Sequence, residues 1–156
     1  MPVPTSVRPW WAALTVWGVV NVVNILQGAG FLSRIHTGSM AVNHLLGYGI
    51  FVLAVPAALA LAAFVVSRSG PLHWMGPAVF LAFVALMAVV DYIRPVEFRS
   101  PKLLPLLVPY LLLFFGAILL MGLPMYKLNK GLWLVTVATT IFLLASMGAA
   151  MRRGVG

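Results

Sequence analysis

Asp91 and Glu97 are the two acidic residues of a chain that carries ten lysines and arginines, and both fall in one short segment, residues 91–99. Carboxylates in such a place offer proton transfer, cation binding, or pairing with a positive group. Arg94 stands three residues after Asp91, a spacing at which helical side chains meet, and Arg99 and Lys102 follow Glu97. Asp91 closes an apolar stretch, where the helix dipole disfavours a further negative charge by roughly 0.3–1 kcal/mol. It is therefore expected to take Arg94, or a bound cation, as partner. Pro95 cannot continue the helix, and Ser100-Pro101 reads as the cap and first residue of the next one. The plain reading is a salt-bridged connector between two helices. The functional one is a carboxylate–arginine site for an ion, a proton or a lipid headgroup, working as a gate if the chain is a conduit.

His44, with Asn43, Gly47 and Tyr48 beside it, is the second candidate. An imidazole inside a helix bundle can ligate haem or a chlorophyll-type pigment. A bis-histidine haem needs a second histidine facing it, yet His36 reads at the same end and His73 at the other. A hydrogen-bonded structural histidine is the plainer expectation, and no cofactor or metal is expected. The chain has no cysteine, which removes thiolate nucleophiles and disulfides. Its methionines show no clustering that suggests copper.

The third candidate is a polar stripe. Trp17, Asn21, Asn24 and Gly28 share one helix face, with Gln27 next to it. An asparagine amide in hydrocarbon demands a partner, so this face should meet another helix or line a wet path.

The elements that must position these groups are membrane spans. Hydrophobic residues make up 63% of the 156, and charged ones 8%, whereas soluble domains keep about a quarter charged. Five stretches are long and apolar enough to cross a bilayer: 11–32, 42–66, 75–93, 103–126 and 132–151. Arg8 ahead of the first stretch and Gly28-Ala29-Gly30 late in it imitate a signal peptide, but the stretch is long enough to span and reads as a retained helix. The expected fold is an all-α, five-transmembrane-helix bundle with short loops, forming one domain over 1–156. The net charge of +8 is spread over the gaps between apolar runs, which is the pattern of membrane boundaries and not the basic stripe of a nucleic-acid binder.

Counting Lys and Arg sets the orientation. Arg8, Arg68, Lys127 and Lys130 lie on the N-terminal side, and Arg34, Arg94, Arg99, Lys102, Arg152 and Arg153 on the other. The positive-inside rule then places the N-terminus outside and the C-terminus in the cytoplasm. With five spans, His36, His44, Tyr48, Asp91, Arg94 and Glu97 all share the C-terminal side.

Small residues at Ala54, Ala58 and Ala62 read as a packing ridge, while Pro56 and Pro109 should bend their helices. Gly28-Ala29-Gly30 lies in a hydrophobic helix and is no dinucleotide loop, and the sequence holds no GxSxG, HExxH or P-loop. Enzymatic activity is not expected. The leading expectation is a structural or accessory subunit of a larger membrane complex, or a homo-oligomer. A small transporter or channel is the alternative, its path along Asn21, Asn24 and Gln27. A haem-, pigment- or quinone-binding electron-transfer subunit using His44 is the third. The bilayer, other membrane subunits and self-association are the partners expected, without nucleic acid.

Overall fold

The computed structural model describes residues 9–98 and 102–155. Among them the chain is all-helical: α1 (Trp10–Thr37), α2 (Ala41–Val66), α3 (Pro71–Met87), α4 (Leu104–Leu128) and α5 (Lys130–Arg152). A π-helical segment, Ala88–Ile93, continues α3 without a break. All five helices are long and apolar enough to cross a membrane.

The boundaries follow local chemistry. Gly38 adopts a left-handed φ of 63° and its N–H reaches the Arg34 carbonyl, ending α1 where a side chain would be strained. The Ser39 hydroxyl then accepts from the Ala41 N–H at 3.1 Å and starts α2. Pro71 opens α3, where its missing N–H costs nothing. Asn129 caps α5, its Oδ1 accepting from the Leu132 N–H at 3.1 Å. Helix α4 begins at Leu104 with Pro105 in its first turn. Ser100 and Pro101, expected as its cap and first residue, lie outside the described residues, as do Arg8 and Arg99.

The most extensive helix pairings are α3 with α4, α1 with α5, and α1 with α2; α2 also packs on α3, and α4 closes the ring against α5. Helix α1 touches α4 as well, so it runs deepest in the bundle. Phe64, Phe80, Phe83, Ile50 and Leu143 are fully buried between the helices. At Gly76 the backbones of α3 and α4 come so close that an added Cβ would stand 2.8 Å from the Leu120 carbonyl carbon and the Met121 nitrogen. Only glycine permits that approach.

The outer surface is apolar along its length. Val52, Val55, Leu59 and Val66 on α2, Leu112 and Leu119 on α4, and Leu134 and Ile141 on α5 are all well exposed. A water-soluble monomer does not present an apolar surface of this extent.

Two expectations are corrected here. Of the Ala54–Ala58–Ala62 ridge only Ala54 packs against the core: Ala58 and Ala62 are exposed, and Gly47, Ala57 and Ala60 are the buried small residues of α2. The spacing was right and the face was wrong, because α2 is apolar on every side and its composition marks no inner face. Arg34, expected in a loop after residue 32, belongs to α1 and is only 6% exposed. The helix runs past the apolar stretch as far as the Gly38 cap, with the Ser33 and Thr37 hydroxyls satisfied within it on the carbonyls of Gly30 and Ser33.

Candidate functional site: a mixed-charge cavity at one end of the bundle

The C-terminal ends of α1, α3 and α5 and the start of α2 enclose a cavity of about 460 Å³. Arg34 comes from the last turns of α1, His44 from the first turns of α2, Asp91 from the π segment and Glu97 from the connector behind it. Met40, Val90, Pro95, Val96, Phe98, Gly154 and Val155 complete the wall. Its volume lies within the ~300–1,000 Å³ of ordinary ligand pockets. A smaller chamber of about 40 Å³ shares Arg34, Met40, His44 and Asp91 with it and adds Gln27, Asn43, Gly47, Met87, Tyr92 and Tyr110. The two therefore form one polar recess that narrows toward the interior.

The π segment is what presents Asp91. An extra residue per turn widens the helix and re-aims its side chains, and such segments often sit at functional sites. Asp91 Oδ2 accepts a hydrogen bond from Tyr110 Oη of α4 at 3.1 Å. Tyr110 is held edge-on against Phe83 and tilted against Phe98, with ring centroids 5.2 and 5.1 Å apart. The connector folds back over this cluster: the Arg94 N–H bonds the Val89 carbonyl and the Val96 N–H bonds that of Val90. Phe98 is thereby fully buried, and Glu97 stays exposed at the rim.

Tyr92 braces the opposite wall. Its hydroxyl donates to the His44 carbonyl at 2.8 Å, and its ring packs against His44, Tyr48 and Phe51. The hydroxyl passes directly over Gly47, where an added Cβ would overlap it. Glycine at 47 is thus a condition for the strut that ties the π segment to α2. At the inner end of the recess Gly30 is similarly covered, a Cβ there standing 2.7 Å from Asn43 Oδ1.

The sequence-derived candidates divide. His44, Asp91 and Glu97 meet at the cavity, although 47 residues separate the first two. Tyr48 is 58% exposed and touches the site only through the Tyr92 ring. Arg94 is exposed, lines neither chamber, and forms no ion pair with Asp91 among the described residues; the carboxylate takes Tyr110 instead. The reason is geometric: π-helical pitch and the turn into Pro95 remove the i, i+3 alignment that an α-helix would have given. Arg34, Tyr92 and Tyr110 were not foreseen as site residues.

The polar stripe has a different fate. Asn21 Nδ2 donates to the Trp17 carbonyl at 2.7 Å and to Thr136 Oγ1 at 3.2 Å, and Thr139 Oγ1 donates to Asn21 Oδ1 at 2.7 Å. Asn24, fully buried, donates to Thr139 and Thr140 at 3.1 and 3.0 Å. Trp17 Nε1 closes the seam on the Leu132 carbonyl at 2.8 Å. These bonds lace α1 to α5. Gln27 alone of the three stripe amides reaches the recess.

His36 bonds the Leu32 carbonyl at the end of α1, and His73 is buried beside Phe64 near the start of α3. Neither lines the recess with His44. Among the described residues no group of three or more His, Asp and Glu side chains is placed to hold a metal ion. Compared with family models, curated proteins and solved structures, the chain matches none.

Proposed function

We propose that this chain is an integral membrane protein of five spans and that it binds a small amphiphilic molecule at one face of the bilayer. In this role it serves as an accessory component of a larger membrane assembly or of a homo-oligomer, not as a conduit. The observation that carries the reading is the recess itself: one guanidinium, one imidazole and both carboxylates of the chain meet a mostly apolar wall at the end of an otherwise apolar bundle. Charges inside a membrane protein are expensive and tend to mark sites of function. Ligands of mixed character bind where apolar walls surround a few convergent polar groups.

The laced stripe supports the accessory role over the conduit. A transport path along Asn21 and Asn24 requires these amides to face water or cargo, and here they are engaged with the α5 threonines. Transport stays as a second reading because Gln27 extends the recess inward from Asp91. Positive charge is denser at the recess end, which favours a cytoplasmic C-terminus and a cytoplasmic recess.

The test is organic extraction of the purified, detergent-washed protein, with native mass spectrometry on the intact sample. A stoichiometric amphiphile is expected, lost when Val96→Trp fills the cavity from its wall. Retention of nothing beyond bulk lipid, with Val96→Trp indistinguishable from the parent, would overturn the binding reading. Flux in proteoliposomes that depends on Asn24 would favour the second one.

A further inference from the structure

We propose that the connector of residues 94–98 is a flap over the recess, latched by the Phe98 side chain and held shut by the π pitch of residues 88–93. This rests on the reading of the recess as a binding site and adds how access to that site is controlled.

The connector is the wall best placed to move. Pro95, Val96, Glu97 and Phe98 line the main cavity, and residues 94–97 are also exposed to the outside. The facing walls come from α1, the π segment and the ends of α2 and α5. Lids are drawn from parts of a fold that bury little apolar surface and leave their backbone hydrogen bonds open to solvent. Here Phe98 alone of the connector residues is buried.

Phe98 is the latch. It is 0% exposed and tilts against Tyr110 of α4, the ring centroids 5.1 Å apart. Tyr110 in turn stands edge-on to Phe83 and donates to Asp91 Oδ2 at 3.1 Å. The seat of the latch is thus fixed by the same carboxylate that lines the cavity. Withdrawing Phe98 releases the one buried side chain that the connector has.

The π pitch supplies the second hold. The Arg94 N–H reaches the carbonyl of Val89, five residues back, at 2.8 Å, and the Val96 N–H reaches that of Val90 at 3.0 Å. An α pitch would carry the Arg94 N–H to the carbonyl four residues back, which belongs to Val90. That carbonyl is the one the connector now uses. Rewinding to an α-helix therefore competes with docking of the connector, while it brings Asp91 and Arg94 to a spacing at which they can pair. The segment has two arrangements, π with the flap docked and α with the flap released. Short π segments often sit at functional sites. An amphiphile touching Val96 and Phe98 binds the docked form better, and so draws the flap shut.

The experiment uses the absence of cysteine. Val90 lines the cavity and is 5% exposed, so Val90→Cys reports opening through its rate of reaction with N-ethylmaleimide. Rates are measured on the whole chain, stripped of lipid in detergent, with and without Phe98→Ala, beside hydrogen exchange of the backbone amides. Loss of a buried phenylalanine ring should raise the open population about a hundredfold. Labelling at Val90→Cys and exchange at 94–98 are expected to rise by that factor, with exchange in α1 and α5 as in the parent. Phe98→Leu refills the seat in part, so its rise should be only about tenfold; it carries the test if Phe98→Ala does not fold. Unchanged labelling, or exchange at 94–98 that rises only together with that of α1 and α5, would overturn the flap and make Phe98 ordinary core. Amphiphile retained per chain after washing should fall in Phe98→Ala, and equal retention would overturn control of access. A parent that retains none removes the binding reading and the regulatory role with it, while the labelling rates still decide whether the flap moves.

Discussion

Replacing Asn24 with leucine separates a laced helix seam from a water path. Leucine has the same branched outline and heavy-atom count as asparagine with bulkier ends, so no cavity opens, and the change removes the two donations from Asn24 Nδ2 to Thr139 and Thr140. Neither threonine is stranded: Thr140 Oγ1 still donates to the Thr136 carbonyl at 2.7 Å, and Thr139 Oγ1 to Asn21 Oδ1 at 2.7 Å. Asn24 Oδ1 is buried with no partner among the described residues, so its removal offsets part of the loss. Side-chain hydrogen bonds between membrane helices average about 0.6 kcal/mol and reach about 1.7. Two such bonds give ~1.2 kcal/mol, and the relieved carbonyl brings the expected cost to about 1 kcal/mol. The assay is reversible unfolding in detergent micelles, run as a double-mutant cycle with Thr139→Val and Thr140→Val. The cycle should show a positive coupling of several tenths of a kcal/mol with each threonine. Zero coupling, or a stability loss above roughly 4 kcal/mol, would refute the laced seam.

Other expectations follow from single close approaches and caps. Gly76→Ala forces a methyl group onto the Leu120–Met121 backbone and should lower stability by ~1–3 kcal/mol, whereas Gly18→Ala, with open space around it, should be neutral or slightly stabilising; thermal melts of the two variants decide this. Gly47→Ala displaces the Tyr92 hydroxyl from the His44 carbonyl, so it should reduce amphiphile retention more than it reduces stability, as read from lipid counts per chain against the melting temperature. Arg68 holds a left-handed φ of 52° in the α2–α3 turn; Arg68→Gly relieves about 1 kcal/mol of strain, partly offset by backbone entropy, and a melt should show a small gain. Asn129→Ala removes the α5 cap and should cost ~1 kcal/mol in the same measurement.

The number and approximate limits of the helices were legible because a spanning helix needs a long apolar run and this chain separates its runs with charge. The seam between α1 and α5 was half legible. The i, i+4, i+7 spacing of Trp17, Asn21 and Asn24 identified a face needing partners. Threonine hydroxyls in a helix, here Thr136, Thr139 and Thr140, can also be satisfied on their own backbone. Thr140 does so, and Thr139 also turns to Asn21. Sequence could not decide between the two because both acceptors lie within reach of one rotating hydroxyl.

The recess was harder to read. The common side of His44, Asp91 and Glu97 followed from an odd number of spans, which carries no information on depth or direction. Arg34 was overlooked because basic residues near the end of an apolar run usually mark a loop. Gly38 was the available signal: a glycine stop four residues later places Arg34 in the last turns of the helix. The π segment carried no sequence signature, since Ala88–Ile93 is as apolar as the α3 residues before it, apart from Asp91 itself. That segment also undid the expected Asp91–Arg94 pair, which assumed α-helical spacing.

The most direct measurement exploits the absence of cysteine, which gives labelling without background. Val96→Cys on the cavity wall and Val66→Cys on the outer surface of α2 are reacted with a maleimide in detergent, before and after bound amphiphile is stripped and then restored. The expected result is that Val96→Cys is protected as purified, becomes reactive on stripping, and is protected again on restoring the extracted amphiphile, while Val66→Cys reacts alike throughout. Equal reactivity of Val96→Cys in all three states would contradict an occupied recess, and with it the central claim.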